Sequence, residues 1–238
     1  MNVSRLKSLL RSAAPGPAAA WLRLKEWARS TRRGDRYLEG IFSQIYHGNL
    51  WGESESVSGP GSSLAATASL RRELPGLLAE LGVHTLLDAP CGDCHWILST
   101  PLDLDLYIGA DLVPALIERN RAKLGGPGRS FQVLDLTRDP LPKADAILCR
   151  DCLIHFSFRF IRRALDNFRA SGARYLLTTT YSGLPRNHDI LSGQWRPLDL
   201  ELPPFGLPPP LRLIREKEYA EGALRLRRNL GVWELETL

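Results

Sequence analysis

The chain has 238 residues, of which 44% are apolar and 24% are charged, and its formal net charge is +5. These proportions are those of a globular protein with enough length for one large core. No apolar run reaches the roughly 18 to 20 residues that a membrane-spanning helix needs, and no secretory signal pattern opens the chain. We therefore expect a soluble body.

The positive charge is concentrated in the first 33 residues, which hold eight basic residues and one acid, Glu26. Residues 34–238 hold 23 basic and 25 acidic residues, a net charge of −2. A body of that charge offers no field for a polyanion, so nucleic acid is disfavoured as a partner.

Residues 1–36 are interpreted as a basic arm. The stretch AAPGP at 13–17 divides it into two short segments with helical spacing, the second of which carries Trp21, Leu22, Leu24 and Trp27. This composition suits a membrane surface, a partner protein or an organellar targeting peptide. The alternative is a solvated leader, since short helices are marginal alone.

Residues 37–82 are interpreted as a helical segment that carries a lid. Between Tyr37 and Ser63, aromatic residues in helical spacing give way to a loop of glycine, serine and proline that also holds tryptophan and glutamate. Such a loop is typical of a lid over a site. Ser62 or Ser63 then caps a predicted helix from Leu64 to about 81, interrupted at Pro75.

The remaining residues, 83–238, are interpreted as the core domain. Four short apolar runs at regular intervals are predicted strands, at residues 84–89, 104–111, 130–135 and 144–151. A fifth strand is predicted at 173–181, and two closing strands are predicted after a proline-rich loop near the C-terminus.

Two helices are predicted between these strands. Pro114 in a first turn and Gly125 at the end delimit one, and Ser157 as cap and Gly172 as stop delimit the other. Apolar strands alternating with helices indicate buried parallel strands. The predicted fold class is α/β, a doubly wound, Rossmann-like, seven-stranded, mostly parallel sheet with helices on both faces.

Polar residues follow the first four strands, at the sheet edge where ligands bind in such folds. Asp111 lies 23 residues after Asp88, the distance of one strand, turn, helix and second strand, so its carboxylate is placed to accept hydrogen bonds from a ribose diol. Asp135 ends the third strand, within reach of an adenine amine. Gly92 lets the backbone approach a ligand, and a short helix from near Asp93 presents free N–H groups.

The alternative is that these aspartates only cap turns and helices. A dinucleotide enzyme and a P-loop nucleotidase are disfavoured, because neither G-x-G-x-x-G after the first strand nor G-x-x-x-x-G-K-[ST] anywhere is present.

The order of these elements resembles a class I S-adenosylmethionine (SAM) dependent methyltransferase over residues 83–181. More narrowly, WGESESVSGPGSSL before LLDAPCGD, then ILCRDCLIHF and GQWRPLDLELPPFGLPPP, resemble a group of methyltransferase-domain proteins across nearly all of 40–238. The family pattern D-x-G-x-G-x-G keeps only its middle glycine here, with Pro90 and Cys94 in the outer positions.

The resemblance implies SAM as cofactor, with the methionine portion near the first turn, the ribose at Asp111 and the adenine at Asp135. The cofactor contacts that it implies are Asp88, Ala89, Cys91, Gly92, Asp93, Asp111, Leu112, Asp135, Leu136 and Arg150.

The four cysteines form two C-x-x-C pairs, Cys91 with Cys94 and Cys149 with Cys152. Such pairs are typical of zinc sites, but 54 residues separate them, far more than in a compact zinc ribbon. A structural metal or redox chemistry remains the alternative. We expect no metal and reduced, half-buried thiols in a cytosolic-type compartment.

Methyl transfer from a sulfonium is an in-line displacement, so the protein aligns the acceptor and removes its proton. We hypothesise that Asp151 or His155 is the general base and that Arg150 positions an anionic or polar substrate. The alternative is that Asp151 caps the next helix and His155 packs beneath the lid. Further candidates for the lid and the substrate site are Tyr46, Trp51, Glu55, Ser58, His188 and Arg196.

The expected activity is methyl transfer to a hydroxyl or amine of a small molecule, such as a sugar, lipid or metabolite. Base-methylating enzymes of this class show N-P-P-[YF] where this chain has CRDC, which argues with the neutral body against nucleic acid. The competing hypothesis is a catalytically silent SAM-binding or scaffold protein docked through its arm. We expect a cytoplasmic location, with membrane association or organellar targeting by the arm left open.

Overall fold

A computed structural model describes residues 21, 24–30, 36–51, 54–221 and 224–238. The predicted division of the arm at 13–17 lies outside the described residues, as do Leu22 and the other arm residues 1–20, 23 and 31–35. Residues 24–30 are helical, as the spacing in the second half of the arm predicts.

Seven strands form one sheet in the order β3-β2-β1-β4-β5-β7-β6. Their bounds are β1 Thr85–Asp88, β2 Leu106–Asp111, β3 Arg129–Val133, β4 Ala146–Cys149, β5 Tyr175–Ser182, β6 Arg212–Glu221 and β7 Leu224–Glu234. The first five strands pair in parallel, whereas β7 pairs antiparallel with both β5 and β6. The predicted mostly parallel, seven-stranded sheet is confirmed.

Helices cover both faces of the sheet. They are α1 Tyr37–His47, α2 Ala68–Glu80, α3 Pro114–Leu124 and α4 Phe158–Ala170. Side chains alternate across a strand, so Leu87 of β1 packs in a core with α1 and α4, while Leu86 packs on the other face with α2 and α3. The strand ends of β1, β2 and β4 therefore emerge together between two packed layers.

Two predictions for local structure are wrong. The helix predicted from Leu64 begins at Ala68, because the backbone N–H of Leu64 is bound by the carboxylate of Glu55 at 2.7 Å before helical geometry starts. Pro75 lies inside α2 without ending it. The buried leucines of α2 on either side of Pro75 outweigh the lost hydrogen bond.

The short helix predicted near Asp93 is also absent from the described fold, and turns occupy residues 92–99. Gly92 has a φ of 54° and Cys94 a φ of 58°, both left-handed. Two left-handed residues so close together interrupt a right-handed helix. Within the described ranges, no helix is long and apolar enough to cross a membrane.

We expect Leu176→Ala to lower the free energy of unfolding by ~2 to 5 kcal/mol, because Leu176 is fully buried in β5 and its loss leaves a cavity. Leu211→Ala is the matched control, since Leu211 is 49% exposed and its loss costs about 0.5 kcal/mol or less. Urea unfolding of both variants checks this. Equal losses would contradict the position of β5 at the centre of the core.

Candidate functional site

A cavity of about 610 Å³ lies at the carboxyl ends of β1, β2 and β4. One wall comes from the ends of β2 and β3 and includes Asp111, Leu112, Asp135 and Leu136. The opposite wall includes Asp151, His155, Tyr181, Tyr219 and Arg228, and Tyr46, Trp51 and Ser58 cover it. Its volume is in the range of small-molecule and cofactor sites.

Asp111 joins the ends of β1 and β2. Its carboxylate accepts a hydrogen bond from the Gly92 N–H at 3.1 Å and another from the Val113 N–H at 3.0 Å. Burial raises the pKa of Asp111 to about 6 although these N–H groups oppose the shift. A carboxylate has about four acceptor sites, so Asp111 keeps capacity for hydroxyl donors in the cavity.

Asp135 lines the same wall but is held by its own turn. One carboxylate oxygen accepts from the backbone N–H and the hydroxyl of Thr137, at 2.9 and 2.7 Å, and the other lies 3.3 Å from Nε of Arg138. The predicted cofactor residues Ala89, Cys91, Leu112 and Leu136 also line the cavity. Together they form a largely apolar wall with two carboxylates.

Asp88 lies beneath the first turn and not on the cavity wall. Its carboxylate accepts a hydrogen bond from the hydroxyl of Tyr107 at 2.6 Å, and only 3% of the residue is exposed. Burial raises the pKa of Asp88 to about 7, against the opposing effect of that hydrogen bond. Asp88 lies on the same face of the sheet as Asp111, where it supports the turn from below.

Asp93 holds the loop at residues 54–63, which we call the lid. Its carboxylate accepts hydrogen bonds from the Ser56 hydroxyl at 2.9 Å, the Val57 N–H at 3.0 Å and the Ser58 hydroxyl at 3.3 Å. A Cβ at Gly92 would overlap the Ser58 hydroxyl, so only glycine lets the lid approach this closely. The carboxylate of Asp93, predicted near the methionine portion, is thus occupied by the lid.

Arg150 fastens the other end of the lid. Its guanidinium donates to the carboxylate of Glu216 at 2.5 and 3.1 Å and to the backbone carbonyl of Gly61 at 2.7 Å, and 3% of its side chain is exposed. Arg228 donates to Glu216 at 2.8 Å and to Asp151 at 2.7 Å. Because its donors are already engaged within the protein, Arg150 is a positioning residue and not the substrate ligand that the sequence suggested.

Asp151 is a poor general base in this arrangement. Burial favours its neutral form, but the guanidinium groups of Arg228 and Arg150 hold its pKa below the ordinary value. Its backbone is left-handed, with a φ of 52°, and a Cβ at Gly61 would lie only 2.7 Å from its carboxylate. Asp151 is therefore a fixed anion at the base of the lid.

His155 has the geometry of a base. Its Nδ1 lies 2.9 Å from the backbone carbonyl of Gln194, which only accepts, so Nδ1 carries the proton and Nε2 keeps its lone pair. Burial lowers the pKa of His155, which favours the neutral ring, and Trp51 packs 5.3 Å from it. An acceptor nitrogen thus belongs to a ring on the cavity wall.

Arg196 lies outside the cavity lining, where it holds the turn that carries His155. This fully buried side chain donates to the backbone carbonyls of Leu153 at 3.0 Å and Phe156 at 2.8 Å. Burial lowers the pKa of Arg196 to about 9. Its role is structural, and it does not face a substrate.

Two other predicted site residues also lie outside the cavity lining. Glu55 binds the Leu64 N–H and lies 2.9 Å from Nε2 of His95, which ties the lid to the first turn. Burial lowers the pKa of His188 to about 4, so its ring is neutral. Of the lid candidates, Tyr46, Trp51 and Ser58 do line the cavity.

The four cysteines are more deeply buried than expected, with 7% exposure or less. Asn120 donates to the Gly92 carbonyl at 2.7 Å and lies 3.6 to 3.7 Å from the sulfurs of Cys91 and Cys94. A hydrogen bond with Cys94 and burial raise the pKa of Cys91, so the thiol stays protonated. Among the residues that the structure describes, no cluster of three or more histidine, cysteine or acidic side chains is arranged for a metal ion.

Sequence reasoning missed the contribution of the final hairpin. Glu216 and Tyr219 from β6 and Arg228 from β7 join Tyr181 around the acceptor side of the cavity. The signal was present in β7, where Arg228 alternates with the buried Leu226 and Leu230. A charged residue at an inward position of a strand needs a partner, and Glu216 with Asp151 supplies it.

Solved methyltransferase structures share this fold. A SAM-dependent methyltransferase from Leishmania major is 15% identical, with a TM-score of 0.57 over 85% of this chain and 87% of that chain. Magnesium protoporphyrin IX methyltransferase (ChlM) from Synechocystis PCC 6803, with bound SAH, is 12% identical, with a TM-score of 0.53 over 82% of this chain and 99% of that chain. No protein-family model matches the chain, and no curated protein gives a significant match. The chain has the Rossmann-like methyltransferase fold.

We expect Asp88→Asn to change how stability depends on pH. Because the pKa of Asp88 is about 7 in the fold against an ordinary value of 3.8, the native state binds its proton more tightly, and stability falls as pH rises through that window. The variant lacks this loss, so from about pH 4 to about pH 8 its stability should rise relative to the wild type by ~4 kcal/mol at most.

Urea unfolding of wild type and Asp88→Asn at both pH values checks this, and the amide oxygen still accepts from Tyr107. A difference between the two proteins that is the same at both pH values would show that Asp88 is not buried as described.

Proposed function

We propose that the protein is a methyltransferase that uses SAM and transfers its methyl group to a hydroxyl or amine of a small polar molecule. The observation that carries the proposal is one cavity with two chemically different halves. Asp111 and an apolar wall lie on one side, and His155, with a tautomer fixed by a backbone carbonyl, lies on the other. The shared fold supports it.

The residues of the first half fit an adenosine. Asp111 has acceptor sites left for ribose hydroxyls, and Leu112, Leu134 and Leu136 offer apolar surface for a flat ring. Asp135, whose carboxylate is bound by its own turn, limits that ring at one edge. When bound, SAM supplies an electrophilic methyl group on a positively charged sulfur.

The second half handles the acceptor. Nε2 of His155 takes the proton of the acceptor hydroxyl or ammonium group while the backbone carbonyl of Gln194 holds Nδ1–H in place. Burial raises the pKa of Tyr181, so its phenol stays protonated and is available as a hydrogen-bond donor. The lid excludes water from this volume.

The charges on this side favour a neutral acceptor. Two arginines, Arg150 and Arg228, are balanced by two carboxylates, Asp151 and Glu216, within one ion-pair cluster. A balanced cluster leaves little net field for a polyanion. A sugar, lipid headgroup or metabolite hydroxyl suits this surface better than nucleic acid does.

The activity is tested by incubating the full chain with methyl-labelled SAM and fractionated cell extract. We expect label in a small-molecule fraction, and His155→Gln should lower the turnover number by about 100-fold or more while SAM affinity stays within about threefold. His188→Gln is the matched control, because it changes a histidine outside the cavity. Unchanged turnover in His155→Gln would contradict the base, and no labelled product in any fraction would contradict the proposal.

Asp111→Asn should weaken SAM binding by about tenfold or more at about pH 8, because the amide replaces one acceptor oxygen by a donor. In the wild type, affinity should fall as the pH drops through about 6, where Asp111 gains a proton, and the variant should lack this dependence. Asp105→Asn, at a carboxylate whose side chain is 85% exposed, is the control. Calorimetric titration with SAM measures all three, and equal affinities would refute the ribose contact.

A further inference from the structure

The helix at residues 24–30 of the basic arm packs against the body with its polar side inward. Glu26 is 2% exposed, and its carboxylate accepts hydrogen bonds from the Tyr37 hydroxyl at 2.8 Å and the Ser192 hydroxyl at 2.7 Å. One turn later, the Ser30 hydroxyl accepts from Arg159 at 2.6 Å. The only acid of the first 33 residues thus fixes this helix to the core.

The apolar side chains of the same segment face outward. Trp21, Leu24 and Trp27 are 57%, 62% and 55% exposed, and their spacing of three residues places them along one side of a helix. Lys25 extends over the Trp21 ring, with Nζ 4.5 Å from its centroid. A helix that serves only the core would bury the tryptophans and expose the glutamate, so this orientation indicates an external apolar surface.

The charge of the arm indicates the chemistry of that surface. Residues 1–33 carry a net charge of +7, whereas residues 34–238 carry −2. Tryptophan with lysine or arginine on a short helix is the composition that lies in the headgroup region of a bilayer. A second copy of the chain would have to offer an acidic surface to this arm, and a body with so small a net charge does not supply a strong one.

The position of the helix connects it to the cavity. Ser192, which binds Glu26, precedes Gly193 of the cavity lining, and α1, which begins with Tyr37, contributes Phe42 and Tyr46 to that lining. Leu50, another lining residue, is 67% exposed. A surface that covers the arm helix therefore lies near the acceptor side of the cavity.

We propose that residues 21–30, with the basic residues around them, dock the protein on an anionic phospholipid surface. Glu26 holds the helix on the body so that the two tryptophans and Leu24 enter the headgroup region, and the arginines and lysines of residues 1–33 contact lipid phosphates. Docking needs no methyl transfer, so its test is independent of the proposed activity.

Flotation of the full chain with phosphatidylcholine vesicles, with and without phosphatidylglycerol, tests this. We expect binding to the vesicles that contain phosphatidylglycerol, weakened by added salt. The triple variant Trp21→Ala, Leu24→Ala, Trp27→Ala should lower partitioning at least about tenfold. The double variant Lys25→Gln, Arg29→Gln should lower it by about fivefold or more.

The matched control is Val133→Ala, Leu211→Ala, Leu213→Ala, which removes as many exposed apolar side chains far from the arm in sequence. It should float as the wild type does. The proposal is overturned by absence of flotation, by equal flotation on both vesicle types, or by unchanged flotation of the arm triple variant. Light scattering separates a further outcome, because a dimer that the arm triple variant dissolves, without flotation, would assign the surface to a second copy.

Discussion

The carboxylate of Asp93 determines whether this molecule has an enclosed site. It accepts hydrogen bonds from Ser56, Val57 and Ser58, and hydrogen bonds to an ionised acceptor are stronger than those between neutral groups. Gly92 has no Cβ to obstruct the approach, so the lid lies directly on the turn after β1. Without this contact the strand ends would open to solvent, and the cavity between β2 and the final hairpin would lose its cover.

The charged groups around the cavity have distinct roles because their surroundings differ. Arg228 keeps Asp151 ionised, so Asp151 serves as a fixed charge, whereas burial keeps His155 neutral and therefore able to take a proton. Arg196 satisfies the backbone carbonyls on either side of His155 and so fixes its position. Base, anchor and lid are held by one connected polar network, in which the loss of one partner leaves another charge buried and unpaired.

The sequence was sufficient to predict the sheet, because apolar runs, proline and glycine act locally, as Pro114 and Gly125 at the ends of α3 illustrate. It also placed Asp111 at the cavity. It was not sufficient for partners far apart in the chain: the lid contact of Asp93, the Glu216 contact of Arg150 and the Tyr107 contact of Asp88 all depend on packing. Strand ends indicate which residues meet, but only the folded arrangement decides whether a carboxylate faces the cavity, the lid or the core.

The account is tested most directly by amide hydrogen exchange in the wild type and in Asp93→Ala. We predict that the amides of residues 54–63 exchange at least about tenfold faster in the variant, while peptides from β1 and β4 keep their rates. Equal exchange of residues 54–63 in both proteins would contradict the claim that Asp93 closes the site.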